Sequence, residues 1–207
     1  MKSLIETLEK ARKYKFLGPV PIEEHLKNGK GFVEILLALS KDHKSEQKVV
    51  DLGSGGGVPA LVVAEQLPHW HFLLIERKTK RAEFLQWAVK NLAFEANITV
   101  FEGDVETAAR EAQHEKTADF VTARSFAPPP VTAECGCRFL KKSGCLIVSE
   151  PPDTSDRWPT EELSSLGLEA IEPVHSNYGT FQALELKNYP DQRYPRRSGT
   201  INKNPLW

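Results

Sequence analysis

The sequence predicts an α/β fold in which a mainly parallel β-sheet is wound on both faces by helices. Three observations indicate it. Short apolar runs alternate with segments of helical period, the first run closes in a glycine cluster (DLGSGGG, Asp51–Gly57), and the 207 residues are enough for one domain with a sizeable core.

The N-terminal part is expected to be a helical cap over residues 1–45. Leu4, Leu8 and Ala11 follow helical spacing, which predicts an amphipathic helix over 3–16. A second apolar stripe predicts another helix over about 31–41.

From residue 48 onwards, strands and helices alternate. Buried strands are predicted at 48–52, 70–76, 98–101, 118–123 and 145–149. Helices are predicted at 58–67, 79–96, 104–113 and from the prolines at 128–130 to about 140. Residues 168–174 and 181–186 are expected to form a closing antiparallel pair, and the tail 188–207 to run over the surface of this single domain.

Composition limits the class of protein. Hydrophobic residues make up 40% and charged residues 27%, as in ordinary globular proteins. No apolar run approaches the roughly 20 residues of a membrane span, and the N-terminus lacks the apolar centre of a signal peptide, so a cytoplasmic protein is expected. Three cysteines without a CxxC pair predict neither a disulfide framework nor a metal site.

Charge is unevenly distributed along the chain. Residues 1–48 carry ten Lys/Arg and seven Asp/Glu, and residues 188–207 carry four and one, so both ends are net +3 around an acidic middle. Basic ends are typical either of solvated surface or of a chain that meets a polyanion such as RNA.

The glycine loop is the main candidate for a ligand site. Gly53, Gly55 and Gly57, with Ser54 between them, follow a strand and precede a helix, where open α/β sheets bind ligands. The spacing fits a dinucleotide or S-adenosylmethionine. Asp51 favours the methyl donor, because it can receive a cationic amino group but would repel a pyrophosphate.

Acidic residues follow the next two strands. Glu76 ends the second strand, where a carboxylate can accept hydrogen bonds from both ribose hydroxyls; the alternative is a surface acid beside Arg77. Asp104, Val105 and Glu106 follow the third strand and can face an adenine ring. They can equally begin a helix, with Asp104 as its N-cap.

Four segments carry a family resemblance: VDLGSGGGVPAL (50–61), EGDVE (102–106), TARSFAPP (122–129) and YPRRSG (194–199). Together they resemble the bacterial 16S ribosomal RNA guanine-N7 methyltransferases, also called glucose-inhibited division protein B. The resemblance implies a class I methyltransferase with a seven-stranded sheet and S-adenosylmethionine as methyl donor. It also implies cofactor contacts at Gly53, Val58, Val105, Glu106 and Arg124.

Arg124 is the candidate for positioning the substrate. Guanine N7 carries an exposed lone pair, so its methylation needs alignment rather than a general base. We hypothesise that Arg124 donates hydrogen bonds to the guanine or binds its phosphate. The alternative is an ion pair with an acid of the cofactor site.

The basic tail is the candidate RNA contact. Its cations, Arg193, Arg196, Arg197 and Lys203, could bind phosphates, and Tyr194 and Trp207 could stack on bases. The tail could instead be held on the domain by its aromatic residues. If it is an independent strap, truncation after Asn188 should weaken RNA binding and spare the cofactor.

The expected function is therefore methylation of small-subunit ribosomal RNA by a monomer without a membrane partner. Three other functions stay open: a methyltransferase for a small molecule or protein, which the pI of about 6.6 favours; a nicotinamide oxidoreductase, which Asp51 disfavours; and a non-catalytic RNA-binding or assembly factor.

Overall fold

The chain folds around one continuous β-sheet with helices on both faces. The computed structural model describes residues 3–151 and 157–207. The strands are β1 (Lys48–Leu52), β2 (His71–Glu76), β3 (Ile98–Glu102), β4 (Ala118–Ala123), β5 (Leu140–Glu150), β6 (Leu168–Ala170), β7 (Val174–Ser176) and β8 (Gly179–Leu186). The helices are α1 (Leu4–Lys13), α2 (Ile22–Leu39), α3 (Ala60–Gln66), α4 (Thr79–Leu92), α5 (Val105–Ala108), α6 (Pro129–Cys137), α7 (Thr160–Ser165) and α8 (Ser198–Lys203).

The strand order confirms the doubly wound α/β prediction. The order is β3-β2-β1-β4-β5-β8-β6, and β1 to β5 pair in parallel. The chain runs outward from β1 to β3 and then returns to the other side of β1 at β4. The carboxyl ends of β1 and β4 therefore flank the topological switch point, where open α/β sheets bind ligands.

Within residues 3–151 and 157–207 the sheet has eight strands, not the expected seven. Strand β8 pairs antiparallel with β5 along one edge, whereas β6 and β7 pair antiparallel with different parts of its other edge. The two short strands thus share one position in the sheet. The interval between them contains Pro173, which has no N–H to donate to the ladder.

The helical cap packs on one face of the sheet, and its second helix is longer than predicted. Helix α2 begins at Ile22, nine residues before the predicted start at 31. The helix includes the two glycines of the sequence NGKG (28–31), a residue type that is unfavourable inside a helix. Gly29 is required by packing, since a Cβ there would lie 2.7 Å from the side chain of Val62 on α3.

Most residues of the tail are exposed, as predicted, but a few buried residues anchor it to the domain. Tyr194 is 4% exposed and Ile201, on α8, is fully buried. The Trp207 indole donates to the carbonyl oxygen of Arg157 at 3.0 Å and packs edge-on against Trp158. The aromatic residues hold the tail on the domain, and the buried Tyr194 is not available to stack on bases.

Two apolar clusters cover the two faces of the sheet. One joins α1 to α4 with one face, and the other joins α5 to α8 with the opposite face. The three cysteines lie unpaired and buried in these clusters, and burial raises the pKa of each thiol. None of the described helices is long and apolar enough to cross a membrane.

Candidate functional site

The loops that follow β1 to β4 meet at one edge of the sheet. In the parallel register, Leu52 is opposite both Ile75 on β2 and Ala123 on β4, and Glu76 is opposite Glu102 on β3. The glycine loop, the end of β2, the segment after β3 and Arg124 are thereby placed side by side.

A cavity of about 300 Å³ opens between these loops. Its wall is formed by Gly53, Ile75, Glu76, Arg77, Lys78, Arg81, Gly103, Asp104, Val105, Glu106, Ser125, Phe126, Ala127, Val131, Cys135, Ser198 and Asn202. A larger surface groove of about 650 Å³ is lined only by α1 and its C-terminal flank, from Glu6 to Tyr14, so it offers no opposing wall. The smaller cavity lies at the carboxyl ends of the parallel strands, and polar groups from several elements converge in it, so we take that cavity as the site.

Gly53 forms the floor of the cavity where β1 enters the loop. Its φ of +64° lies in the left-handed region, which favours glycine. A Cβ at this position would also lie 2.7 Å from the ring of Phe126. The loop following β4 therefore packs against the glycine loop, with Phe126 on the cavity wall.

Asp51 lies beneath the loop and is 1% exposed. Its Oδ1 accepts a hydrogen bond of 2.6 Å from the Thr122 hydroxyl on the neighbouring strand β4. Burial raises the pKa of Asp51 from 3.8 to about 6, although hydrogen bonds from Thr122 and Ser54 and the charge of Arg124 act in the opposite direction. An ionised carboxylate held here at neutral pH is costly unless it meets a cation.

Glu76 lies on the cavity wall and ties two loops together. Its Oε2 accepts the N–H of Gly55 at 3.0 Å, and its Oε1 accepts the N–H of Lys78 at 2.9 Å. The Arg81 guanidinium is 4.0 Å from Oε2. A carboxylate has about four lone-pair sites, so both oxygens retain the capacity to accept further hydrogen bonds. The alternative of a surface acid is wrong, because Glu76 is only 3% exposed.

The segment after β3 completes the wall beside Glu76. Asp104 precedes α5, but its side chain makes no capping hydrogen bond, and its backbone oxygen accepts from Thr107 and Ala108 instead. Asp104 is therefore the N-cap residue of α5, as the sequence suggested, but it caps the helix through its backbone and not through its side chain. Asp104, Val105 and Glu106 all line the cavity.

The structure divides the predicted cofactor residues into two groups. Gly53, Glu76, Asp104, Val105 and Glu106 form part of the cavity wall. The others are not part of that wall: Asp51, Ser54, Gly55, Gly57, Val58 and Arg124. Within the second group, the side chain of Val58 belongs to the apolar core, so its predicted cofactor contact stays a prediction for its backbone alone.

Arg124 directly follows β4 and contacts a histidine from the helical cap. Its Nη2 lies 2.8 Å from Nδ1 of His25, which is 2% exposed on the first turn of α2. Among the described residues, no carboxylate lies within ion-pair distance of the Arg124 guanidinium. The alternative of a direct ion pair with a cofactor-site acid is therefore not observed.

Arg196, predicted to bind RNA, is held by a buried acid. Its guanidinium and its backbone N–H make four hydrogen bonds of 2.6–3.1 Å to the Glu134 carboxylate, which is fully buried on α6. Arg110 and Arg138 also donate to backbone oxygens of the tail between Gln192 and Pro195. Arg196 thus anchors the tail, while Arg193, Arg197 and Lys203 are exposed.

The anchored tail is also part of the cavity, since Ser198 and Asn202 of α8 stand on its wall. This contradicts the expectation that truncation after Asn188 would spare the cofactor site. We expect that truncation to open the wall and expose the core around Ile201. It should lower the melting temperature and weaken S-adenosylhomocysteine binding together. A truncated protein with wild-type stability and affinity would contradict this arrangement.

Sequence reasoning missed His25, Phe126, Ser198 and Asn202. His25 was detectable, because it shares a helical face with Ile22, Gly29, Phe32 and Leu36, all of which are buried. Glu134 was detectable as a lone carboxylate in an otherwise small and apolar helix, PPVTAECGC. Ser198 and Asn202 follow no pattern, since only tertiary folding brings α8 to the cavity.

The chain is similar to known methyltransferases in sequence and in fold. Residues 24–161 match the family model described as GidB, rRNA small subunit methyltransferase G. A Deinococcus deserti protein named Ribosomal RNA small subunit methyltransferase G is 31% identical over 188 residues, which cover 86% of this chain and 76% of that protein. The Lactococcus lactis protein of the same name is 30% identical over 165 residues, 76% of this chain and 69% of its own.

Solved structures support the fold. A putative O-methyltransferase from Klebsiella pneumoniae superposes with a TM-score of 0.63 at 14% identity, covering 91% of this chain and 92% of its own. An RNA methyltransferase from Salinibacter ruber, in complex with S-adenosyl-L-homocysteine, has a TM-score of 0.55 at 17% identity. The match covers 79% of this chain and 95% of its own. At these identities the likeness concerns the fold alone.

Proposed function

The chain belongs to the GidB family, rRNA small subunit methyltransferase G, and from this premise we propose that it methylates N7 of a guanine in small-subunit ribosomal RNA. The methyl donor is S-adenosylmethionine. One observation carries the proposal: two buried carboxylates, Asp51 and Glu76, lie on either side of the Gly53 loop at the switch point of the sheet.

The cavity fits this donor in size and chemistry. A volume of about 300 Å³ is at the lower end of ordinary small-molecule sites. Glu76 can accept hydrogen bonds from ribose hydroxyls, and Asp51 supplies negative charge beneath the loop for the amino group. Val105, Ala127 and Val131 provide apolar surface for an adenine ring between them. When bound, the cofactor supplies an electrophilic methyl group.

The protein's own residues position the base and exclude water. The described residues around the cavity include no acid–base pair of the kind that deprotonates a nucleophile, and guanine N7 needs none. Arg124 presents a guanidinium beside the glycine loop, in a geometry that suits the guanine O6 or a phosphate. Phe126 packs against the glycine loop at Gly53, and the helical cap covers that loop at Gly55 and Gly56.

Exposed cations surround the mouth of the cavity. Arg77 and Lys78 are exposed residues of its wall, and Arg197 follows the anchored Arg196 on the opposite side. Positive charge at the rim attracts an RNA phosphate backbone and makes its binding dependent on salt. These exposed cations favour a polyanionic substrate, although Asp104 and Glu106 also line the wall and the whole chain carries a net charge of −1.

The test is methyl transfer to small ribosomal subunits, or to naked 16S RNA, from a strain that lacks its own enzyme for this position. We expect the wild-type protein to transfer labelled methyl groups, and mass spectrometry of the digested RNA to find 7-methylguanosine. The variant Arg124→Ala should lose about 100-fold in rate, because misplacement of a reacting group has effects of this size. Its affinity for S-adenosylhomocysteine, measured in parallel, separates a role at the RNA from the cofactor contact that the resemblance implies for Arg124.

Arg124→Lys is the matched control, since it keeps the charge but lacks the planar fork of donors. We expect it to be intermediate in rate. A wild-type protein that binds the cofactor but methylates neither form of the RNA would contradict the proposed substrate. Wild-type rates for Arg124→Ala would remove Arg124 from the reaction.

A further inference from the structure

His25 makes two contacts that together determine the state of its ring. Its Nε2 lies 3.1 Å from the carbonyl oxygen of Gly18, and its Nδ1 lies 2.8 Å from Nη2 of Arg124. A carbonyl only accepts and a guanidinium only donates. Nε2 must therefore carry the proton, and Nδ1 must present its lone pair to Arg124.

A neutral ring is required by this arrangement. A protonated His25 would point an N–H at the guanidinium, placing two cations in contact inside the protein. Burial lowers the pKa of His25, and the charges of Arg124 and Arg12 lower it further, while the hydrogen bond to Gly18 acts in the opposite direction. The ring is thus a neutral acceptor at physiological pH.

The partner is unusual for an arginine in this position. Buried arginines are ordinarily satisfied by a carboxylate, which neutralises the charge. Arg124 instead donates to a neutral acceptor, while the buried Asp51 attracts its charge without a direct ion pair. Among the described residues, its other donors make no hydrogen bond, and they lie at the carboxyl end of β4, next to the Ser125–Ala127 wall of the cavity.

We infer that His25 is a positioning residue, which holds the Arg124 guanidinium in place through Nδ1 so that its free donors can engage the target RNA. The inference rests on the proposed function, because it assigns Arg124 to the RNA. It extends the site to α2, which contributes none of the residues of the cavity wall. The helical cap would then form part of the substrate site.

A purely structural role for His25 makes a different prediction. Its bond to Gly18 fixes the segment that carries Phe16 and Leu17, and these two residues cover the glycine loop at Gly55 and Gly56. If that anchor were its only role, the Nε2 contact would matter and the Nδ1 contact would not. The two contacts can be removed separately.

The variants His25→Asn and His25→Gln separate the Nδ1 contact to Arg124 from the Nε2 contact to Gly18. The Asn Oδ1 can replace Nδ1 as the acceptor for Arg124 but cannot reach Gly18, whereas the Gln Nε2 can replace the donor to Gly18 but leaves Arg124 without an acceptor. We expect His25→Asn to keep kcat within about threefold and His25→Gln to lose about tenfold or more, the effect of one hydrogen bond. We expect His25→Gln, which keeps the contact to Gly18, to bind S-adenosylhomocysteine with wild-type affinity. Equal kcat values, or the reverse order, would overturn the inference.

A measurement on the unmodified protein covers the case in which the variants do not fold. The ¹⁵N chemical shifts of the His25 ring should identify a neutral Nε2–H tautomer, and Arg124→Ala should move the Nδ1 signal. A protonated ring, the other tautomer, or an unchanged Nδ1 signal would overturn the inference. If the wild-type protein methylates no RNA, the proposed function fails first, whatever the state of the histidine.

Discussion

Replacement of Asp51 by Asn is expected to weaken cofactor binding while stabilising the unliganded fold. The change removes the negative charge beneath the glycine loop but keeps an oxygen that can accept from Thr122. Loss of a charged partner costs about 1.5–3 kcal/mol, which is about 10- to 100-fold in the dissociation constant of S-adenosylhomocysteine. Calorimetric titration at pH 7 measures this dissociation constant.

The stability effect has the opposite sign because the pKa of Asp51 is raised. A group whose pKa rises on folding contributes most to stability below its unfolded pKa, here 3.8, and loses that contribution as the pH rises through about 6. The shift is equivalent to at most about 3 kcal/mol. In urea unfolding at pH 7, Asp51→Asn should therefore be the more stable protein, with the difference vanishing below pH 4.

The affinity of the wild-type protein should follow the same ionisation. Below about pH 6 the Asp51 carboxylate becomes protonated, so binding should weaken towards acid by up to about tenfold per pH unit. Asp42→Asn is the matched control, since it makes the same chemical change at an exposed site before β1. Asp51→Asn with unchanged affinity and unchanged stability would show that the charge has no role in the site.

Replacement of Arg196 by Ala is expected to cost about 3–5 kcal/mol in the free energy of unfolding, the effect of leaving a buried charge without its partner. Glu134 is fully buried, and Arg196 supplies its charged partner at 2.6 Å. Cofactor binding should weaken as well, because the same anchor holds α8 against the cavity. Urea unfolding and calorimetry measure the two effects.

Arg197→Ala is the control for this prediction. It removes the same side chain one residue further on, at an exposed position, and should change stability by no more than about 0.5 kcal/mol. It should instead reduce the salt dependence of RNA binding. Equal destabilisation by the two variants would contradict the assignment of Arg196 to the fold and Arg197 to the surface.

The alternation of strands and helices was predictable because each carries its own periodicity. Strand β1 and the start of β4 fall at the predicted residues, since apolar runs and glycines define them locally. The start of α2 was missed because Gly29 suggests a break, and the close packing against Val62 is visible only in three dimensions.

The candidate site was predictable where its residues lie at the ends of predicted strands. Asp51, Gly53 and Glu76 occupy strand ends, and the parallel sheet brings such ends together. The role of Arg196 in the tail was not predictable, because its partner is distant in the sequence. The arginines of the tail have the same sequence pattern whether they face RNA or a buried acid, and the partner of Arg196 lies 62 residues away.

The most direct test of the methyl-donor site is calorimetric titration of the wild-type protein with S-adenosylhomocysteine, followed by NAD. We expect one site for S-adenosylhomocysteine and no heat of binding for NAD. Folded protein that binds NAD, or that binds neither ligand, would contradict the assignment of the cavity between β1 and β4 to S-adenosylmethionine.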